Sequence, residues 1–339
     1  MTSGNVTIEA VAYEAAPHVM TSGRIEEEIK QTMERLKMPM GLLSMLTGIR
    51  ERRLWDPGTM PSDVATRAAQ KVMDLSGIGK EEIGCLINTS VCRDYIEPSV
   101  ACLVHGNLGL PAHCLNFDIS NACLGFINAM QTLMLMIDQG QIRYGLIVDG
   151  EGSRDILEQT LARLKRPDTT IDMYRDNFAT LTLGSGAVAM ILGRRDHTRT
   201  GHIINGAVNM ADTRFNRLCV GQRDYMKADA AAIMNQGVKL ARKTWDLAGT
   251  TLPNWGDETI QTYIPHQVSA KNIQLLNKTL GLSPDKHHLN FMTQGNIGPA
   301  AVPITLKMAE EEGRIRPGDH VALMGIGSGL NCSMMSVTW

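Results

Sequence analysis

The sequence predicts an α/β protein made of two related halves. Three observations carry this reading: continuous apolar runs of strand length such as LIVDG and VALMG, helical apolar spacing between such runs, and an order of elements that occurs twice. The chain has 339 residues, 43% hydrophobic and 20% charged, a composition that excludes a disordered polypeptide. Lys and Arg total 33 against 35 acids, a formal net charge of −2, too close to neutral for a polyanion binder driven by bulk charge.

The first half reads as a strand over 6–13, a helix over 62–75 opened by Pro61 and Ser62, and a buried strand over 83–91. A helix over 98–108, a strand over 115–119 and a long helix over 121–139 closed by Gly140 follow, then strands over 144–150 and 187–193. After a charged, turn-like stretch over 194–201 the pattern returns, with a strand over 202–209, a helix over 230–247, a strand over 260–265 and a helix over 269–280. A short strand over 288–291, a helix over 299–312 and strands over 320–325 and 332–337 complete it. Each half is roughly a βαβαβαββ unit, so the chain is expected to bury two mainly parallel sheets between layers of helices. The boundary falls near residue 195, giving halves 1–195 and 196–339. The helix over 121–139 is apolar on nearly every side, through Leu124, Ile127, Met130, Leu133, Met134 and Ile137, and so is expected to run through the core.

Seven cysteines, with no CxxC spacing among them, argue against both a structural zinc site and a secreted disulfide scaffold, and point to a reducing compartment. The start MTSGNVTIEA lacks a basic region followed by an apolar core, so no signal peptide is expected. No apolar stretch reaches about 18 residues, so no membrane span is expected either, and the expected location is cytoplasmic. Met is abundant at 21 while Phe (5) and Tyr (6) are scarce, which fits a core filled by thioethers or an adaptable apolar channel.

Chemistry enters at single positions. Cys123 is expected in the first turn of the 121–139 helix, just after Ser120 and Asn121, where the helix dipole would pull its thiol toward neutrality and make a nucleophile. The same place suits a small buried residue. The other six cysteines fall in apolar elements and read as inert. His266 follows an apolar strand, where α/β sheets bind ligands, and Asn296 lies in the loop TQGNIGPA leading to a helix. Core packing and turn formation are the competing readings for these two. Together Cys, His and Asn would supply a nucleophile, a proton-handling group and an amide donor for acyl transfer. Gly325–Gly329 (GIGSG) lies between two strands rather than opening a helix, which excludes a dinucleotide fingerprint. It fits either a tight hairpin or a backbone brought close to a reacting carbonyl. Glu97, before Pro98, favours a helix dipole or acts as a base in an apolar cleft. The clusters Arg50–Arg53 and Arg163–Arg166 read as solvated faces, with a phosphate-bearing carrier as the other possibility.

Four motifs, SNACLGFINA, IPHQVSA, GNIGPAAVPI and GIGSGLNCSM, resemble in order and spacing those of the ketoacyl synthase III branch of the thiolase superfamily. RRLWD at 52–56, INTSVCRDYIEPS at 87–99 and the ending NCSMMSVTW resemble, within it, the enzymes that join two fatty acyl-CoA molecules head to head in olefin biosynthesis. The resemblance implies a layered α-β-α-β-α thiolase-like fold. It implies Cys123 as the acylated thiol, His266 and Asn296 as the catalytic pair, and the backbone N–H groups of Cys123 and Ser328 as an oxyanion hole. Glu97 is then the base that enters the partner subunit's site, which makes the enzyme a homodimer. The implied reaction is a non-decarboxylative Claisen condensation of two long-chain acyl-CoA thioesters to a 2-alkyl-3-oxoacyl product. No cofactor is implied, since CoA enters with the substrate, and neither is nucleic acid; downstream enzymes of an olefin-forming pathway are possible partners. Leu46 departs from the branch, standing before TGI where an arginine often helps hold CoA. Two other readings are a synthase that extends malonyl-acyl carrier protein with decarboxylation, and a non-catalytic acyl-binding module.

Overall fold

The computed structural model describes residues 4–198 and 200–339. Residues 1–3, part of the stretch read for a leader, and Arg199, inside the expected boundary turn, lie outside the described residues. The strands in chain order are β1 (Val6–Ala15), β2 (His18–Thr21), β3 (Glu51–Leu54), β4 (Ile83–Asn88), β5 (Leu115–Asp118), β6 (Tyr144–Glu151) and β7 (Gly186–Arg194). They continue with β8 (Ile203–Ala211), β9 (Cys219–Gly221), β10 (Met226–Ala228), β11 (Thr262–Pro265), β12 (His320–Gly327) and β13 (Asn331–Thr338).

Nine strands form one hydrogen-bonded series in the order β11-β12-β13-β8-β1-β7-β6-β4-β5, with β2–β3 and β9–β10 as separate pairs. Among the described residues β1 and β8 pair only at Thr7 and Ile203, so the series divides into a four-stranded and a five-stranded segment. Sheet order relates the segments: β1-β7-β6-β4 in one stands where β8-β13-β12-β11 stands in the other. The pairings are mixed rather than mainly parallel. β4 runs parallel to β5 and β6, and β11 to β12, but β7 and β13 run antiparallel to both of their neighbours. In the second segment the cause is local: β12 and β13 are joined by three residues, 328–330, and a link that short connects only antiparallel neighbours. The strand expected over 288–291 is absent; Phe291–Gln294 is a short helix, and a single parallel bridge from Tyr263 to His287 is what stands beside β11.

Three apolar clusters reveal five layers. The helices Gly125–Asp138 and Ala301–Glu311 share one core with inward residues of both segments, including Ile8, Ile147 and Val188 on one side and Ile264, Leu323 and Met335 on the other. Outside the first segment lie the helices Pro61–Ser76 and Val100–Leu108, and outside the second the helices Ala230–Thr251 and Ala270–Leu280. Phe126, Ile127, Met130, Leu133, Met134 and Ile137 are all buried, as the all-round apolar pattern requires.

One basic cluster is not a solvated face. Arg52 is fully buried and donates to Met20 O, Ser22 Oγ and Leu181 O at 3.2, 3.1 and 3.0 Å. Two carbonyls and a hydroxyl take the place of water around the guanidinium, and burial lowers its pKa to about 10. Among the described residues no helix is long and apolar enough to cross a membrane.

Candidate active site

The parallel strands β4, β5, β6, β11 and β12 end on loops that carry most of the chemically distinctive residues. After β5 the chain bonds back to β4 through Ile119 N and Asn88 O at 2.9 Å, then folds into a tight turn. Ala122 takes a φ of 45°, in the left-handed region, and Leu124 N and Gly125 N bond to Asn121 O and Ala122 O at 3.0 and 3.2 Å. The helix therefore begins at Gly125 with Leu124 as its N-cap, and Cys123 lies ahead of the first turn rather than in it. The Asn121 side chain does not cap the helix, because it is engaged elsewhere. Its Nδ2 donates to Asn128 Oδ1 at 2.6 Å, and its Oδ1 accepts from Asn331 Nδ2 at 3.0 Å. Asn128 Nδ2 donates in turn to Gln131 Oε1 and Ser333 Oγ at 3.4 and 3.5 Å, and Gln131 exchanges two hydrogen bonds with Asn209 at 3.2 and 3.1 Å. An uncharged side-chain ladder thus ties the cysteine turn to β8 and β13.

Glycines bring backbone against the same turn. A Cβ on Gly125 would stand 3.0 Å from Thr89 O, and one on Gly327 would stand 3.3 Å from Leu124 Cγ and 3.5 Å from Cys123 N. The GIGSG stretch is thus a hairpin, as one of its sequence readings has it, whose bare backbone packs on the cysteine turn. Burial raises the pKa of the Cys219 thiol while Ser328, the next residue, acts to lower it, and Cys219 in turn acts on Cys123 electrostatically. Cys219 is therefore part of the thiol's surroundings.

The thiol is not lowered toward neutrality. Burial pushes Cys123 up to about 12, with Cys219, Glu151 and Asp149 adding to the shift. The helix end lies two residues away, while two carboxyls and a second thiol stand nearby, so desolvation and negative charge outweigh the dipole. His266 follows β11, its N–H bonded to Met324 O at 2.7 Å; it is 9% exposed, and burial alone pushes it down to about 4. Among the described residues its Nδ1 has no partner. At neutral pH the imidazole and the thiol are both uncharged.

Asn296 is clamped by its backbone, with N bonded to Thr182 O and O accepting from Gly184 N, both at 2.9 Å. Gly295 ahead of it has a φ of 69°, and a Cβ there would stand 2.8 Å from Thr182 O and 2.9 Å from Arg52 Cβ. Arg52 thus underlies the Asn296 loop. Asn296 Oδ1 accepts from Gly298 N at 3.1 Å, which leaves its Nδ2 hydrogens to be offered outward.

Sequence reasoning missed the acids of β6. Asp149 and Glu151 are both buried, and burial together with their mutual repulsion raises Asp149 well above the carboxylate range, while burial takes Glu151 to about 7. The available signal was the alternation in VDGE, which places two acids on one face of an otherwise apolar strand. Glu97 stands apart from these groups. It is exposed on loop 91–98, ahead of a helix that begins at Val100 and is capped by Ser99 Oγ. Among the described residues no group of three or more His, Cys, Asp or Glu could hold a metal ion.

Fold and site together define a thiolase-fold condensing enzyme. Residues 117–211 match the family described as 3-oxoacyl-[acyl-carrier-protein (ACP)] synthase III, and residues 252–339 match its C-terminal family. The chain is 44% identical over 335 residues to an acyl-CoA:acyl-CoA alkyltransferase of Xanthomonas campestris, covering 99% of both proteins. It is 38% identical over 353 residues to the enzyme of the same name from Shewanella oneidensis, covering all of both. A crystal structure of the Xanthomonas campestris protein, OleA, with bound lauric acid and lauroyl-CoA superposes with a TM-score of 0.97 at 44% identity and 99% coverage of each chain. A cerulenin-bound structure of that protein gives a TM-score of 0.98 at 44% identity, covering 100% of this chain and 98% of that one. The chain belongs to the OleA family of acyl-CoA:acyl-CoA alkyltransferases, acyltransferases of the thiolase superfamily.

Proposed function

We propose that the chain condenses two long-chain acyl-CoA thioesters head to head, without decarboxylation, through an acyl-enzyme on Cys123. The observation that carries the chemistry is a partly buried, uncharged thiol held in a backbone-gripped turn, together with a neutral His266 whose Nδ1 has no partner among the described residues.

A thiol near pKa 12 is not a standing thiolate, so it loses its proton as it attacks. Neutral His266 accepts that proton and passes it to the departing CoA thiolate. The backbone N–H groups of Cys123 and Ser328 face the oxyanion that forms, and the packing of Gly327 against Cys123 N supports this assignment. A second acyl-CoA then binds with its thioester oxygen polarised by His266 and Asn296. Glu97 takes a proton from its α-carbon, and the carbanion attacks the Cys123 thioester. The new C–C bond yields a 2-alkyl-3-oxoacyl-CoA and frees the Cys123 sulfur, which regains a proton.

In this reading Glu97 serves the other subunit of a homodimer. Its exposed loop supports that: Ile96 is 95% exposed, and Val91 and Tyr95 are exposed beside it. Leu115 on β5, the edge strand, and Leu135 are apolar and exposed as well, a surface suited to a second copy. Leu46, half exposed on the helix Leu42–Thr47, brings no cation to the CoA nucleotide, so that handle lies elsewhere. The two halves divide near residue 195, in the connection between β7 and β8. CoA enters and leaves with the acyl groups, and no separate cofactor is part of the scheme.

Intact-mass detection of an acyl adduct, combined with mass spectrometry of the ketone formed from mixed acyl-CoAs, tests the proposal. Product from acyl-CoA alone, unchanged by malonyl-acyl carrier protein, is the expected result. A requirement for malonyl-acyl carrier protein would favour the decarboxylating reaction, and binding without CoA release would favour the acyl-binding module.

A further inference from the structure

We infer that Glu151 is a positioning residue for the condensation step, holding the root of the loop that lends Glu97 to the partner subunit. The inference rests on the reading of Glu97 as the base.

The loop 91–98 is free at its tip and pinned at its ends, and carboxylates pin it. Glu151 Oε1 accepts from Val91 N at 2.6 Å and Oε2 from Cys92 N at 3.3 Å. Asp94, within the loop, accepts from Ser62 N at 3.0 Å and from the Ser62 hydroxyl, fixing that side to the start of the Pro61–Ser76 helix. Beyond the loop Asp118 accepts from Val100 N and Ala101 N at 3.2 and 2.9 Å. Tyr95, Ile96 and Glu97 between these fixings are all exposed.

Glu151 differs from the other two carboxylates in what else it faces. A Cβ on Gly298, in the Asn296 loop, would stand 3.6 Å from its Cδ, and its charge is felt at Cys123. Its own carbonyl accepts from Trp55 Nε1 at 2.9 Å, which fixes the strand end that bears it. One buried carboxyl therefore touches the base-bearing loop and lies beside both the thiol and the Asn296 loop of its own protomer. Burying a carboxyl costs desolvation free energy, and here the hydrogen bonds from two backbone N–H groups offset part of that cost.

Glu151→Gln retains the size of the side chain but turns an NH₂ toward one of those two N–H donors, so one end of the clamp opens. The expected outcome is condensation slowed about 10²-fold more than Cys123 acylation, the scale of a reacting group misplaced by about 1 Å. Glu151→Asp, which retains the charge on a shorter stem, recovers part of the loss. In the Glu97→Asp background, Glu151→Gln should add less than its own factor, because both changes act on one group. Condensation at the wild-type rate in Glu151→Gln, equal loss of acylation and condensation, or full multiplication with Glu97→Asp would each overturn the inference. Amide exchange on the wild-type protein gives a readout that needs no variant: Val91 and Cys92 should be protected while 95–97 exchange freely, and unprotected Val91 and Cys92 would also overturn it. If instead Glu97→Ala condenses normally, the reading of Glu97 fails, while the exchange result still reports on the clamp itself.

Discussion

The two helices buried between the sheet segments enter the core in parallel ways and deliver different chemistry. Gly125–Asp138 follows a left-handed residue, Ala122, and is preceded by the Cys123 thiol. Ala301–Glu311 follows a left-handed Gly298 and a short turn, and is preceded by the Asn296 carboxamide. The strands beside them diverge too. β6 ends in a buried acid, Glu151, whereas its counterpart by sheet order, β12, ends in Gly327 pressed on the cysteine turn. One sheet segment thus carries the Cys123 thiol and the two β6 acids, and the other is joined by the Asn296 carboxamide and bare backbone. Repetition supplies the scaffold, and divergence at strand ends supplies the asymmetry that acyl transfer needs.

Replacing the distinctive group of the first half should have the largest effect. Cys123→Ala should give no acyl adduct in intact-mass spectra after myristoyl-CoA treatment; an adduct on that variant would sink the scheme. Glu97→Ala should still acylate but form no measurable ketone, and an unchanged ketone yield removes Glu97 from the mechanism. On the second half, His266→Ala or Asn296→Ala should slow condensation by about 10² to 10³-fold, the usual cost of losing one such donor, measured as CoA release and ketone formation. Gly125→Ala, whose Cβ would stand 3.0 Å from Thr89 O, should cost about 1–3 kcal/mol in denaturant unfolding.

The smallest expected effect is the dependence of stability on pH, and it separates the halves once more. His266 and His287, in the second half, are held neutral with pKa values pushed from 6.5 to about 4, so stability falls as pH drops from 6.5 toward 4 and the unfolded chain takes up protons first. Glu151, in the first half, is raised from 4.5 to about 7; its contribution is full below pH 4.5 and is lost as pH rises through 7. The two windows overlap between about pH 4.5 and 6.5, where the slopes oppose each other, so unfolding midpoints should change less with pH there than either group alone would make them. Glu151→Gln should remove the opposing slope and steepen the rise in stability from pH 4.5 to 6.5.

Most of the scaffold was legible because its elements are long and strongly patterned. The apolar 121–139 stretch announced a buried helix, and strand runs such as LIVDG announced sheet buried on both faces. Cys123, His266 and Asn296 stood out by lying at element junctions. The thiol's electrostatics were not legible, because they depend first on burial by the folded chain and then on Cys219, Glu151 and Asp149 arriving from elsewhere in it. Arg52 misled for a similar reason: within RERR nothing shows that Met20, Ser22 and Leu181 will converge on one guanidinium. Helix onset was misplaced by four residues, since Asn121 has the right chemistry for a cap and tertiary partners draw it away.

That diversion of Asn121 has a consequence for the working range of the enzyme. Amides and hydroxyls neither gain nor lose a proton anywhere between mild acid and mild base, so the seat of the sulfur keeps its bearing while the carboxyls around it change charge. Acidity can then tune how readily the sulfur reacts without moving where it points.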